Sequence, residues 1–208
     1  FGTVFSMLLT ICGAYPLSKR RLRGKKMLTV IVTLTLWFQP GIIPNYLNFK
    51  DLGLIDNRLG IILAFACSTF YVILMRTYFE SIPDAMEESA KIDGANDVYI
   101  LYKIILPFSV PILATISLYY AVSRWNGYFW AMIMLSDESK IPIQVLLKKL
   151  IVDMQTMGDF SEAMDSKRFS KETIIYATIV LTSIPIVAVY PFIQKYFIKG
   201  IMVGAGKG

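Results

Sequence analysis

Three long apolar runs, Met27 to Leu47, Leu59 to Phe79 and Thr173 to Ile193, constrain this chain more than any other feature. At 1.5 Å rise per residue, a helix of about twenty residues crosses a hydrocarbon core of roughly 30 Å. A buried helix of a soluble protein would carry a polar face, and these runs do not. The 208 residues are 55% hydrophobic and only 17% charged, with a mean hydropathy of +0.56. That balance lies outside the usual soluble range and predicts an all-α, polytopic transmembrane helix bundle.

Histidine is absent, which excludes a His-containing triad and a His-ligated metal site. Cys12 and Cys67 both lie in apolar runs, where cysteine behaves as a small hydrophobe. The glycine-rich end, Gly204 to Gly208, is no nucleotide loop, because Ile201 stands where the phosphate loop needs Gly and Gly208 where it needs Ser or Thr. The sequence therefore predicts no catalytic residue, no metal and no cofactor held by this chain.

The segment Lys19 to Lys26, KRRLRGKK, carries six positive charges and no negative one. A short basic loop between two spans reads as a cytoplasmic anchor rather than a nucleic-acid patch. Orientation follows by alternation. Phe1 to Leu17 runs inward, Met27 to Leu47 outward, and Phe49 to Arg58 forms a short external loop. Leu59 to Phe79 returns, which puts Glu80 to Lys103 on the cytoplasmic side. Ile104 to Leu135 runs outward with a bend near Arg124, Asn126 and Gly127. Residues 136–170 form an external loop with an amphipathic piece, IQVLLKKLIVDM. A last span from about Lys171 to Ile198 leaves the tail Lys199 to Gly208 in the cytoplasm. Five spans result, in one domain over residues 1–208. The acidic loop after Glu80 is permitted by the charge rule but not explained by it.

Within that loop, Ser81, Pro83 and the acids Asp84, Glu87 and Glu88 form a helix start. Asp93-Gly94 is a turn dipeptide, and Asn96 or Asp97 can cap a second helix that enters the membrane at Pro107. The alternative is an ordinary polar connector, although connectors are usually shorter.

The spacing Glu88-Ser89-Ala90, three residues, Gly94, nine residues, Ile104-Ile105-Leu106-Pro107 resembles the EAA signature of the integral-membrane permease subunits of ABC importers. EESAKIDGA is similar to the form found in carbohydrate importers of the maltose-permease type, with Ser89 in place of the usual Ala. QPGIIPNYLNFKDLGLIDNRLGIIL, RWNGYFWAMIML and the C-terminal YPFIQKYFIKGIMVGAGKG extend the resemblance over nearly the whole chain. Gly206 stands there where the family usually has Val. The resemblance implies a sixth span ahead of Phe1 and a coupling helix within residues 80–104, formed by Glu87, Glu88, Ser89, Ala90, Asp93, Gly94 and Ala95. It implies that Glu88 makes the polar contact with a cytoplasmic ATPase, Ala90 packs closely and Gly94 allows the turn. It also implies a heterodimer with a second permease subunit, two ATPase subunits that hold ATP and Mg, an extracellular or periplasmic solute-binding protein, an oligosaccharide cargo and a bacterial cell-membrane location. Importers of another solute, such as an amino acid or glycerol phosphate, and a non-transporting scaffold or sensor are the alternatives.

Arg124 is the most costly residue in the apolar regions, on the order of 3 kcal/mol at a bilayer centre. With Tyr120, Trp125, Asn126, Tyr128 and Trp130 it is the candidate substrate pathway, since sugars need hydrogen-bonding groups for hydroxyls and aromatic faces for C–H surfaces. The competing reading is an interfacial aromatic belt with Arg124 snorkelling outward.

Overall fold

The computed structural model describes residues 1–156, 173, 176–185, 187, 188 and 191. Every regular element among them is helical. Helix α1 (Gly2–Ser18) buries Ser6, Thr10, Ala14 and Ser18, a four-residue repeat that places small side chains along one stripe. Small residues let backbones approach closely, and α1 packs along α5 and α8, defined below.

Gly24, at φ +76°, turns the chain into α2 (Lys25–Trp37). The segment Phe38-Gln39-Pro40-Gly41 then breaks the helix, because Pro40 lacks an amide donor and disfavours helical geometry at Gln39. Helix α3 (Ile42–Asp51) leaves at 115° to α2. Asn57 caps α4 (Arg58–Ala64) by accepting a hydrogen bond from the Leu59 amide at 2.8 Å. A second break, Phe65 to Ser68, leads into α5 (Thr69–Glu80), bent by 54° from α4. Helix α6 (Asp84–Ile92) and α7 (Asp97–Phe108) form the polar loop and its exit. Pro107 cannot donate to the turn behind it, and the helix widens to a π-helical stretch over Leu101–Ile105. Helix α8 (Val110–Asn126) follows at 83° to α7, then α9 (Tyr128–Met134), α10 (Ile143–Thr156) and α11 (Tyr176–Pro185). Met75, Ile100 and Ile116 are fully buried where α5, α7 and α8 meet α1.

The expected apolar runs are present, but not as straight spans. No single helix among the described residues is both long and apolar enough to cross a membrane; α2 with α3, α4 with α5, and α7 with α8 reach that length and composition only as bent pairs. The main bend of the run Ile104 to Leu135 falls at Ser109, between Pro107 and Pro111, as well as at the expected Gly127. The expected loop Phe49 to Arg58 is also shorter than the sequence implied. Helix α3 continues to Asp51, and Phe49 is buried with its ring 6.1 Å from Phe65 and 5.9 Å from Trp130. IQVLLKKLIVDM forms most of α10. Residues 157–170, the ends of the last expected span and the tail Lys199 to Gly208 lie outside the described residues.

Gly60 fixes how α4 leaves its preceding turn. A Cβ there would stand 2.0 Å from the Leu54 carbonyl oxygen. Backbone cannot swing aside as a side-chain tip can, so Gly60→Ala is expected to cost on the order of 1–3 kcal/mol. A lowered unfolding midpoint in detergent is the check, with Gly41→Ala, which has ordinary contacts only, as control.

Candidate coupling surface and pathway residues

The polar loop ends its first helix by a specific geometry. Gly94 lies at φ +80°, its amide donates to the Lys91 carbonyl at 3.0 Å, and the Ala95 amide donates to the Ala90 carbonyl at 2.9 Å. This is the Schellman arrangement, which needs a left-handed residue after the last helical turn. Ala90 and Ala95 both pack on the main core. Asn96, the expected cap, accepts from the Tyr99 amide at 2.8 Å. Glu88, Ser89 and Asp93 are left exposed. Ile92 is 87% and Val98 74% exposed, so two large apolar side chains stand on the same polar loop.

Glu87 does not share that exposure. Its side chain is 12% exposed and receives Lys19, Lys91 at 2.6 Å and Arg21 at 3.8 Å. Lys19 also lies 4.4 Å from the centre of the Tyr15 ring. Around this pair, Arg21 bonds Asp97, Lys25 bonds Glu80 at 2.7 Å and Arg20 approaches Asp84 at 3.6 Å. Burial alone would raise the Glu87 carboxyl, but hydrogen bonds from Lys19 and Lys91 outweigh it and hold the group below the usual carboxylate range. Since folding lowers its proton affinity, the clamp contributes fully above the ordinary Glu range and is lost as pH falls through the lowered value. The acidic loop therefore faces the basic segment Lys19 to Lys26, at one end of the bundle.

At the other end, Asp56 plays the corresponding part. Its carboxylate accepts from the Ser136 and Asp137 amides at 3.2 and 3.1 Å and from Lys140 at 2.9 Å, while its own amide donates to the Met134 carbonyl at 2.7 Å. The hydrogen bond from Lys140, with the amide of Asp137 next, holds the carboxyl below its ordinary value. The turn between α3 and α4 is thereby joined to the segment between α9 and α10.

The six candidate pathway residues do not form one cluster. Tyr120 and Arg124, one turn apart on one face of α8, line a cavity of about 320 Å³ with Gly127, Trp130, Phe65 and Tyr71. Trp125, Asn126 and Tyr128 face the opposite way, onto a cavity of about 680 Å³ shared with Gln144 and Lys148 of α10 and Thr182 of α11. Trp125 closes that side by donating from Nε1 to the Thr182 carbonyl at 3.2 Å.

Arg124 is not snorkelling. One guanidinium nitrogen donates to Ser6 Oγ at 2.9 Å, to the Ile62 carbonyl at 3.2 Å and to the Phe65 carbonyl at 3.0 Å. Two of these acceptors are the carbonyls freed where α4 breaks. Beside it, the Ser68 amide at the start of α5 donates to Tyr120 Oη at 3.0 Å. Thr10 spends its only hydroxyl proton on the Ser6 carbonyl at 2.7 Å, so Tyr120 must donate to Thr10 Oγ1, also at 2.7 Å. Both sides of the break are thus sealed by α8 and tied through α8 to α1.

Among the described residues, no group of three His, Cys, Asp or Glu side chains is placed to hold a metal. Several partners seen here carry no local signature in the sequence. Lys19, Arg21, Asp56 and Lys140 read as ordinary loop charges, and Ser6 and Thr10 as incidental polar residues in an apolar run. A four-residue repeat of small residues in α1 was the available signal.

Residues 4–203 match the family of binding-protein-dependent transport system inner membrane components. The chain belongs to this family. It is 46% identical over 208 residues to the polygalacturonan/rhamnogalacturonan transport system permease protein YtcP of Bacillus subtilis, spanning 100% of this chain and 73% of that protein. It is 38% identical over 207 residues to protein LplC of the same organism, spanning 100% of this chain and 70% of LplC. Among solved structures, a bacterial ABC transporter involved in the import of the acidic polysaccharide alginate superposes with a TM-score of 0.87 at 52% identity, over 95% of this chain and 70% of that one. The chain is therefore a membrane-embedded transport subunit of the ABC permease type.

Removing the Arg124 side chain leaves the Ile62 and Phe65 carbonyls without their donor, at about 1–3 kcal/mol each. Arg124→Met is accordingly expected to destabilise the protein more than Arg76→Met, whose guanidinium meets the Glu80 carboxylate and the Thr29 hydroxyl, side chains that can turn to other partners. Thermal unfolding of the two variants in lipid nanodiscs checks the order.

Proposed function

We propose that this chain is one of two permease subunits of an ATP-driven importer for acidic oligosaccharides. The observation that carries the cargo class is the cavity of about 680 Å³, where Lys148 has no acidic partner among the described residues and stands with Trp125, Tyr128, Asn126 and Gln144. An ammonium suits a uronate carboxylate, aromatic faces suit the C–H side of a sugar ring, and amides suit its hydroxyls. The relatives agree in kind, since one is named for polygalacturonan and rhamnogalacturonan transport and the solved transporter for import of the acidic polysaccharide alginate. Arg124, committed to three oxygens, serves the pathway by holding its wall rather than by meeting the cargo.

Glu88, Ser89 and Asp93, with exposed Ile92 and Val98, form the surface that docks in an ATPase subunit; Ala90, Gly94 and Ala95 hold that surface in shape. Large apolar side chains exposed on a polar loop suit an apolar cleft on a partner. The loop Glu80 to Lys103 and the tail Lys199 to Gly208 are then cytoplasmic, and α10 with residues 136–170 lies outside, where a loaded solute-binding protein arrives. A second homologous permease completes the pathway, and two ATPase subunits bind ATP and Mg.

The test is the whole complex in proteoliposomes with saturating binding protein, measuring uptake of trigalacturonate, alginate trimer, maltotriose and glycerol phosphate. The acidic trimers are expected to be imported, and Lys148→Gln to lower their rate by about tenfold, roughly the 1.4 kcal/mol of one charge-assisted contact, while sparing any neutral cargo. Import of maltotriose as fast as the acidic trimers, with Lys148→Gln slowing neither, refutes an acidic cargo. Absence of flux for every solute, with ATPase subunits bound, favours the scaffold.

A further inference from the structure

Helix α1 touches both ends of this arrangement. At its C-terminal end, Lys19 bonds Glu87 of α6, and the Tyr15 hydroxyl donates to the Asp97 carbonyl at the start of α7 at 3.2 Å. Thirteen residues earlier, roughly 20 Å along a helix, Ser6 accepts from Arg124, and Thr10 accepts from Tyr120 between these points. The polar loop is joined covalently to α5 and α7 only, while the broken segment at Phe65 to Ser68 is reached through α1 and α8.

We propose that α1 is a lever that passes movement of the coupling loop to the broken α4–α5 segment, with Lys19 and Thr10 as positioning residues at its two joints. The proposal rests on the reading of the loop as the ATPase-docking element. The joint at Lys19 is stiff for a physical reason. Glu87 is mostly shielded from water, receives Lys91 as well, and loses both partners only by breaking charge-assisted bonds. Between the joints α1, which carries Pro16, packs against α5 and α8, with the small-residue stripe of Ser6, Thr10, Ala14 and Ser18 buried. At the far joint the bonds run in one chain, Ser68 amide to Tyr120 to Thr10 to the Ser6 carbonyl, so displacement of α1 must move or break the contacts that seal the break. A physical link between distant sites of this kind is testable as a coupling energy.

The experiment is a double-mutant cycle in the reconstituted complex, reading solute imported per ATP hydrolysed and the stimulation of hydrolysis by loaded binding protein. Lys19→Met and Thr10→Val are each expected to lower stimulation several-fold with both ATPase subunits still co-purifying, and Lys19→Arg to restore it. The two positions are nine residues apart, roughly 13 Å, a separation at which independent effects multiply, so two losses of about 5-fold would give about 25-fold. A lever with one joint open transmits nothing, so the double variant is expected to be no worse than either single one. A multiplicative loss overturns the lever, as does a Lys19→Met variant that stays fully coupled. A wild-type complex without stimulation, or loss of ATPase subunits in Lys19→Met but not in Glu88→Lys, overturns the docking reading beneath it.

Discussion

Inside a bilayer a broken helix has no water to satisfy its freed backbone groups, and everything else here depends on how the break between α4 and α5 is closed. Arg124 covers the carbonyls of Ile62 and Phe65, and the Tyr120 hydroxyl receives the Ser68 amide. Both residues come from α8, one turn apart on the same face. A single helix face therefore serves a discontinuity in another element, and α1 supports that face through Ser6 and Thr10. Gly2 belongs to the same fitting, since a Cβ there would lie 2.7 Å from the Arg124 guanidinium.

The charges solve a different problem. The rule that places Lys and Arg on one side of a membrane accounts for Lys19 to Lys26 but is silent about acids. Ion pairing supplies the missing reason for Asp84, Glu87 and Asp97, since each meets a cation from that segment. Two segments assigned to one side by alternation, about sixty residues apart in the chain, are thus in direct contact. The same holds at the opposite end, where Asp56 joins two segments that alternation also puts together. Exposed pairs such as Arg20 with Asp84 contribute little individually. The shielded Lys19–Glu87 pair fixes geometry instead.

Much of the polar loop was legible because it is local. Helix start, Gly94 turn and Asn96 cap are each decided by residues within four positions of one another, which is the range over which turn chemistry acts. The helical class was legible from apolar run length for a similar reason. Breaks were harder. Pro40 and Pro107 are visible in the sequence, but proline in a membrane helix either kinks or is absorbed, and neighbours decide which. Least legible was the division of Tyr120, Arg124, Trp125, Asn126, Tyr128 and Trp130. Their closeness in sequence looked like one site, whereas a 3.6-residue period sends Arg124 and Trp125 to different faces.

That division separates two demands that one site could not meet. A cation that must hold backbone carbonyls needs fixed surroundings, and Arg124 has them among Ser6, Ile62 and Phe65. A cation proposed to take and release a cargo has to remain solvated, and Lys148 of α10, on the larger cavity beside α8, is exposed and has no acidic partner among the described residues. Placing both on one face would either let the cargo compete for Arg124 and loosen the break, or lock Lys148 to the backbone and remove it from the cavity. Using opposite faces of α8 leaves each cation one task, and it lets the helix that frames the cavity also report the state of the break to α1.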